Sequence, residues 1–313
     1  MFFMAILAVV AGLVILVKGG DWLLQSAVSL SLKLQIPKMV IGMTVVSFAT
    51  SMPELIVSVN SALSGHPDLA FGNVLGSNIA NIAFVLAVVV IIAPINVSRS
   101  FYRTDFPMMI FATALFYVFV GFDSRLESYE GAILFSVLIL FLFYLVKIRK
   151  KDESEDDLEE DSMSSLSSFY YLVIGGFGLW LGSETLVKGA VALAYDFGVS
   201  ERIISISVIS VGTSIPELSA SIVGIIRKQK AISLGNLIGS NIFNILAVMG
   251  ITSMITPIVI QDQGLLENDI WWMIGISTII LPLVFFPRGN RLSWIDGIIL
   301  LTLYLVFIIP LII

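Results

Sequence analysis

Apolar runs long enough to cross a lipid bilayer recur along nearly all of this 313-residue chain, broken only by short charged or Pro/Gly-containing stretches. Ten can be placed. Five lie at about 1–29, 39–64, 71–94, 104–122 and 129–148, and five more at about 169–195, 201–226, 232–257, 269–286 and 293–312. Lipid offers no partner to a bare N–H or C=O, so such segments must close their hydrogen bonds internally, and the expected fold is an all-α polytopic membrane protein with ten transmembrane helices. The first run has neither a basic start nor a small-residue cleavage site, so it reads as a retained span. With 58% hydrophobic residues, 13% charged ones and a mean hydropathy of +1.00, a water-soluble globule is excluded.

Cysteine is absent, so disulfides and thiolate metal sites are excluded as well. Any metal must be held by oxygen, which suits hard cations such as Na⁺, Ca²⁺ or Mg²⁺. A net charge of −6 and a pI near 4.8 argue against nucleic acid. No cofactor and no protein partner are expected, only ions and the bilayer.

Thirteen of the seventeen Lys and Arg fall in loops on one face of the ten-span layout, against Arg125 and Arg202 on the other. The positive-inside rule then puts the central polar loop in the cytoplasm and both termini outside a plasma membrane. Trp271, Trp272 and Trp294 near span ends read as interfacial anchors. The acidic run Asp152 to Asp161 reads as a solvated linker, since it has no EF-hand pattern.

Comparing the chain with itself is more informative. Glu54 and Glu217 lie 217 − 54 = 163 residues apart, and the same shift lays Gly19 on Gly182, Asp21 on Glu184 and Pro94 on Pro257. Within it, Gly72 to Ile82 matches Gly235 to Ile245 at eight of eleven positions. The chain therefore reads as a first five-helix repeat (1–150), an acidic linker (151–168) and a second repeat (169–313). Five is odd, so the second repeat must enter the membrane inverted, an organisation that points to a secondary transporter with a site near the midplane.

The most similar segments are also the most polar. Ser47, Ser51, Glu54, Ser58 and Ser61 form one helical stripe in span 2, matched by Ser210, Ser214, Glu217 and Ser221 in span 7. Pro53 and Pro216 each remove an N–H, which predicts kinks near Ala49–Thr50 and Gly212–Thr213 with freed carbonyls. Spans 3 and 8 add Asn73, Ser77 and Asn81, and Asn236, Ser240 and Asn244, beside small-residue rows at Gly72, Gly76 and Ala80 and at Gly235 and Gly239 that favour close helix contact. Carboxylates, hydroxyls, amides and bare carbonyls together make a hard-cation site. Two ionised glutamates in a membrane need neutralising charge, which one Ca²⁺, two Na⁺ or two H⁺ supply, so exchange of one set for another is the expected mechanism.

These segments, Thr-Ser-Met-Pro-Glu ending at Glu54, Gly-Thr-Ser-Ile-Pro-Glu ending at Glu217 and the two Gly-Asn segments, resemble the paired repeats of the Ca²⁺/cation antiporter superfamily, and within it the sodium/calcium exchangers. The resemblance covers nearly the whole chain. It implies that Glu54 and Glu217, with the carbonyls of Thr50 and Thr213, hold Ca²⁺. It implies one flanking Na⁺ site at Ser47, Thr50, Ser51, Glu217 and Ser240, its mirror at Ser210, Thr213, Ser214, Glu54 and Ser77, and Asn81 and Asn244 lining the middle. Several relatives carry Asp at one of these two positions, so two Asn here lower the charge of the site. The resemblance also implies exchange of three Na⁺ for one Ca²⁺, by sliding of spans 1 and 6. The alternatives are Ca²⁺/H⁺ exchange or a potassium-dependent exchanger.

A channel would show a filter-like loop, and a membrane enzyme would need a nucleophile with its base; neither pattern is present. Asn73, Asn78, Asn236 and Asn241 read as braces between helices. Lys18 with Asp21, and Glu184 with Lys188, have spacings that allow structural ion pairs. His66 has no assigned role.

Overall fold

The computed structural model describes residues 2–147, 163–197, 212–286 and 289–312; Ser210, the acidic run and the first half of span 7 lie outside the described residues. The described chain is nearly all helix: α1 (Phe2–Leu34), α2 (Lys38–Thr50), α3 (Met52–Leu63), α4 (Pro67–Ile92), α5 (Phe101–Val120), α6 (Ser128–Lys147), α7 (Ser165–Asp196), α8 (Ile215–Ile226), α9 (Lys230–Ile255), α10 (Leu265–Phe285) and α11 (Trp294–Ile312). Seven of these are long and apolar enough to cross a bilayer, and the bent pair of α2 and α3, counted as one span, brings the number to eight. The other two, α8 and α11, are shorter apolar helices.

The repeat is written into the backbone. Helix α3 (52–63) and α8 (215–226) have the same length at the same shift of 163, and so do α4 (67–92) and α9 (230–255). Before α3, Ser51 leaves helical geometry at φ −87°, ψ 4°, and before α8 Ser214 does so at φ −88°, ψ 2°. Each break is one residue beyond the expected kink, because the proline settles into the first turn of the following helix, where its missing N–H has no intrahelical role. Four short strands pair across the halves: β1 (Ile95–Asn96) with β4 (Arg291–Leu292), and β2 (Arg125–Leu126) with β3 (Ile258–Val259), both antiparallel.

Two compact units are each assembled from both halves of the sequence. One comprises Met1–Thr50, Arg149–Asn236 and Val306–Ile313, the other Ser51–Ile148 and Leu237–Leu305. In the first, the long helices α1 and α7 pack along a glycine seam. A Cβ at Gly12, Gly19, Gly175, Gly182 or Gly189 would press on the facing backbone at 2.5–2.8 Å, so only glycine permits this approach. At 33 residues, α1 spans about 50 Å, more than the roughly 30 Å of bilayer hydrocarbon, and is long enough to cross at a tilt.

In the second unit, α4 packs against α3 and α10, and α6 against the C-terminal half of α9. Gly131 of α6 lies against the Gly250 carbonyl and Ser253, leaving no room for a side chain. The expected row in α4 is looser: Gly72 meets only the Leu265 side chain, at 3.5 Å, and Gly76 has nothing within 4 Å. Large apolar side chains such as Phe3, Phe111, Leu140 and Phe143 face outward, while Ser, Asn and Glu are buried, the arrangement a lipid solvent dictates.

Candidate cation site

Glu54 and Glu217 are fully buried, each in the first turn of its helix. Unpaired N–H groups and the helix dipole at that end favour negative charge, which explains how a carboxylate is tolerated there. A charge at the membrane centre otherwise costs about 3 kcal/mol or more.

In the first unit, α8 carries Glu217 and packs against both α1 and the Ser47–Thr50 turn of α2. Asn236 organises this corner. Its Oδ1 accepts from Thr50 Oγ1 at 3.1 Å, its backbone carbonyl accepts from Ser47 Oγ at 2.9 Å, and its Nδ2 donates to Ser221 Oγ at 3.4 Å. Ser47 Oγ also reaches the Gly42 carbonyl at 2.8 Å. Ser214 Oγ is buried and has no hydrogen-bond partner among the described residues. Thr213 sits in the break that precedes Glu217.

In the second unit, Asn73 plays the part of Asn236. Its Nδ2 donates to Ser58 Oγ at 3.0 Å and to the Glu54 carbonyl at 3.4 Å, which ties α4 to the carboxylate-bearing helix α3. Ser51, Ser77 and Ser240 are buried in this unit. Asn81 and Asn244 are fully buried and each opens a π-helical turn, Asn81–Leu86 in α4 and Asn244–Met249 in α9. Such turns add a residue to the helix and re-aim its side chains, and they gather at functional sites. Helix α3 packs against the Asn244–Met249 turn, so Glu54 and Asn244 sit on adjoining elements.

Several buried amide atoms have no hydrogen-bond partner among the described residues. Both amide atoms of Asn81 and Oδ1 of Asn244 and of Asn241 find no hydrogen bond among the described residues. Buried polar atoms left this way call for a ligand or a cost. Among the described residues no group of three or more His, Cys, Asp or Glu could hold a metal ion; the buried oxygens of the site are two glutamates among neutral hydroxyls and amides.

The sequence missed the π turns at Asn81–Leu86 and Asn244–Met249, which leave no mark on hydrophobic periodicity, and the specific bonds of the bracing asparagines. It also missed the partner of Asp21, which is Arg227 at 2.6 Å rather than its helical neighbour Lys18. Gln25 Nε2 donates to the same carboxylate at 3.2 Å. Glu184 and Lys188 do pair within α7, at 2.8 Å.

Known proteins place this arrangement. The profile of the family described as "Sodium/calcium exchanger protein" matches residues 4–147 and 167–313. Inner membrane protein YrbG of Escherichia coli K12 is 34% identical over 257 residues, 79% of either chain. Sodium/calcium exchanger MaX1 of Methanosarcina acetivorans is 27% identical, with 97% of each chain covered. The solved sodium/calcium exchanger from Methanococcus jannaschii superposes with a TM-score of 0.82 at 26% identity, over 99% of each chain. The all-helical fold, the buried acidic repeats and this match over 291 residues agree: the chain belongs to the sodium/calcium exchanger protein family, a family of membrane cation transporters.

Proposed function

We propose that this protein exchanges Na⁺ for Ca²⁺ across a cell membrane by alternating access. The observation that carries the reading is the pair of fully buried glutamates, Glu54 and Glu217, each at a helix start just past a matched break. In this reading the two carboxylates, with the carbonyls of Thr50 and Thr213, neutralise and ligate Ca²⁺. Ser47, Ser51, Ser77, Ser210, Ser214 and Ser240 complete the Na⁺ sites, and Asn81 and Asn244 line the middle. Cation loading removes the charge penalty, so only the loaded protein reorients, and flux in one direction requires flux in the other.

The glycine seam packs α1 and α7 backbone against backbone, and in this reading the two helices slide together as one element. The basic loops and the central acidic segment face the cytoplasm and both termini face outward. Exchange of three Na⁺ for one Ca²⁺ would move net charge and make uptake voltage-sensitive.

Purified protein in liposomes loaded with Na⁺ and diluted into Ca²⁺ medium should accumulate Ca²⁺, and a pH gradient alone should not drive it. Uptake driven by the pH gradient and indifferent to Na⁺ would replace this reading with Ca²⁺/H⁺ exchange.

A further inference from the structure

Asn78, one turn before Asn81 in α4, is buried and has no part in the ion sites described above. Its Nδ2 donates to Met273 Sδ in α10 at 3.5 Å. Its Oδ1 accepts from Asn244 Nδ2 at 3.1 Å, and its backbone carbonyl accepts from Asn241 Nδ2 at 3.1 Å.

These bonds have a direction that chemistry fixes. A thioether sulfur has lone pairs and no proton, so only the NH₂ side of Asn78 can face Met273. That turns Oδ1 of Asn78 toward Asn244. An amide oxygen has no proton either, so Asn244 must answer with its NH₂ and point its own carbonyl oxygen the other way. That oxygen is fully buried and finds no hydrogen-bond donor among the described residues. The opposite repeat lacks the relay. Asn241, the equivalent of Asn78, spends its NH₂ on the Asn78 carbonyl, and among the described residues its Oδ1 has no partner and neither amide atom of Asn81 is held.

We propose that Met273 and Asn78 are positioning residues that set the Asn244 amide with its carbonyl oxygen presented to Ca²⁺, while Asn81 orients only when an ion arrives. The inference rests on the reading of Glu54 as a Ca²⁺ ligand, since the helix of Glu54 packs against the Asn244–Met249 turn. A preoriented ligand has less freedom to lose on binding, so disturbing the relay should weaken Ca²⁺ capture and leave the reorientation rate alone.

The test is Na⁺-driven Ca²⁺ uptake into liposomes over a range of Ca²⁺ concentrations. Asn78→Ala should raise the apparent KM for Ca²⁺ about tenfold, and Met273→Leu about threefold, with maximal rates within about twofold of wild type. Met273→Leu conserves volume and removes only the acceptor, so the test does not depend on the folding of Asn78→Ala. Asn244→Ala should raise KM as Asn78→Ala does, and the double variant should be no worse than Asn244→Ala alone, because one residue acts through the other. Unchanged KM in both Asn78→Ala and Met273→Leu, or effects of Asn78→Ala and Asn244→Ala that multiply, would overturn the positioning role in a protein whose wild type still transports. A wild type without Na⁺-driven Ca²⁺ uptake would overturn the reading beneath it as well.

Discussion

Helices α4 and α9 run in step. The π turn opens at Asn81 in one and at Asn244 in the other, and the chain leaves the helix at Ala93 with φ −150°, ψ 129° and at Thr256 with φ −150°, ψ 130°. Their side chains keep different company. Gly235 of α9 lies so close to the Met39 carbonyl that a Cβ would collide with it, whereas Gly72 of α4 touches only a flexible leucine end. Asn244 is held by Asn78, and Asn81 by nothing among the described residues. Near the ends of the long helices, Asp21 of α1 reaches across to Arg227, while its counterpart Glu184 of α7 pairs with Lys188 four residues along its own helix. The duplication therefore fixes backbone geometry and leaves the contacts to diverge. Backbone breaks follow from local chemistry that was copied, but each contact also depends on the neighbour, and the neighbours differ.

Paired substitutions at equivalent positions can sharpen or break this contrast, with thermal stability in detergent, without Na⁺ or Ca²⁺, as the readout. The largest difference is expected at the glycines. Gly235→Ala should destabilise by about 2–3 kcal/mol through overpacking, and Gly72→Ala should stabilise by about 0.5 kcal/mol through helix propensity. Equal effects would mean the two helices are equally crowded.

Next come the organising asparagines. Asn236→Ala removes the buried amide that bonds Thr50 and Ser221 and should cost about 2 kcal/mol, while Asn73→Ala, at a half-buried site, should cost about 1 kcal/mol. Asn244→Ala should lose about 1 kcal/mol with its bond to Asn78, whereas Asn81→Ala should be neutral or stabilising, since it removes two buried amide atoms that lack hydrogen bonds. The smallest contrast is at the ion pairs. Asp21→Asn should cost about 0.5–1 kcal/mol and Glu184→Gln no more than about 0.3 kcal/mol, because the second pair is exposed and local. A larger cost at Glu184 would reverse the assignment of which pair joins elements.

Most of this fold was legible because lipid leaves a chain few options. Span length, the repeat at 163 residues and the proline beside each glutamate all followed from local rules, and the burial of Glu54 and Glu217 agrees with them. The location of the breaks shifted by a single residue because Pro53 and Pro216 start a helix more readily than they bend one. Other features were out of reach. The π turns that open at Asn81 and Asn244 leave no trace in the hydrophobic periodicity. Asp21 took Arg227 over Lys18 because tertiary proximity outweighed helical spacing. That each compact unit draws on both halves of the chain, with boundaries at Thr50 and Asn236 inside continuous polar segments, could not be read from composition at all.

The central claim is that the two buried carboxylates bind the transported cations. Equilibrium binding of radioactive Ca²⁺ to the purified protein tests it without requiring turnover. Wild type should bind Ca²⁺ saturably and release it to Na⁺, and Glu54→Gln and Glu217→Gln should each lose that binding. Undiminished, Na⁺-sensitive Ca²⁺ binding in either variant would contradict the account.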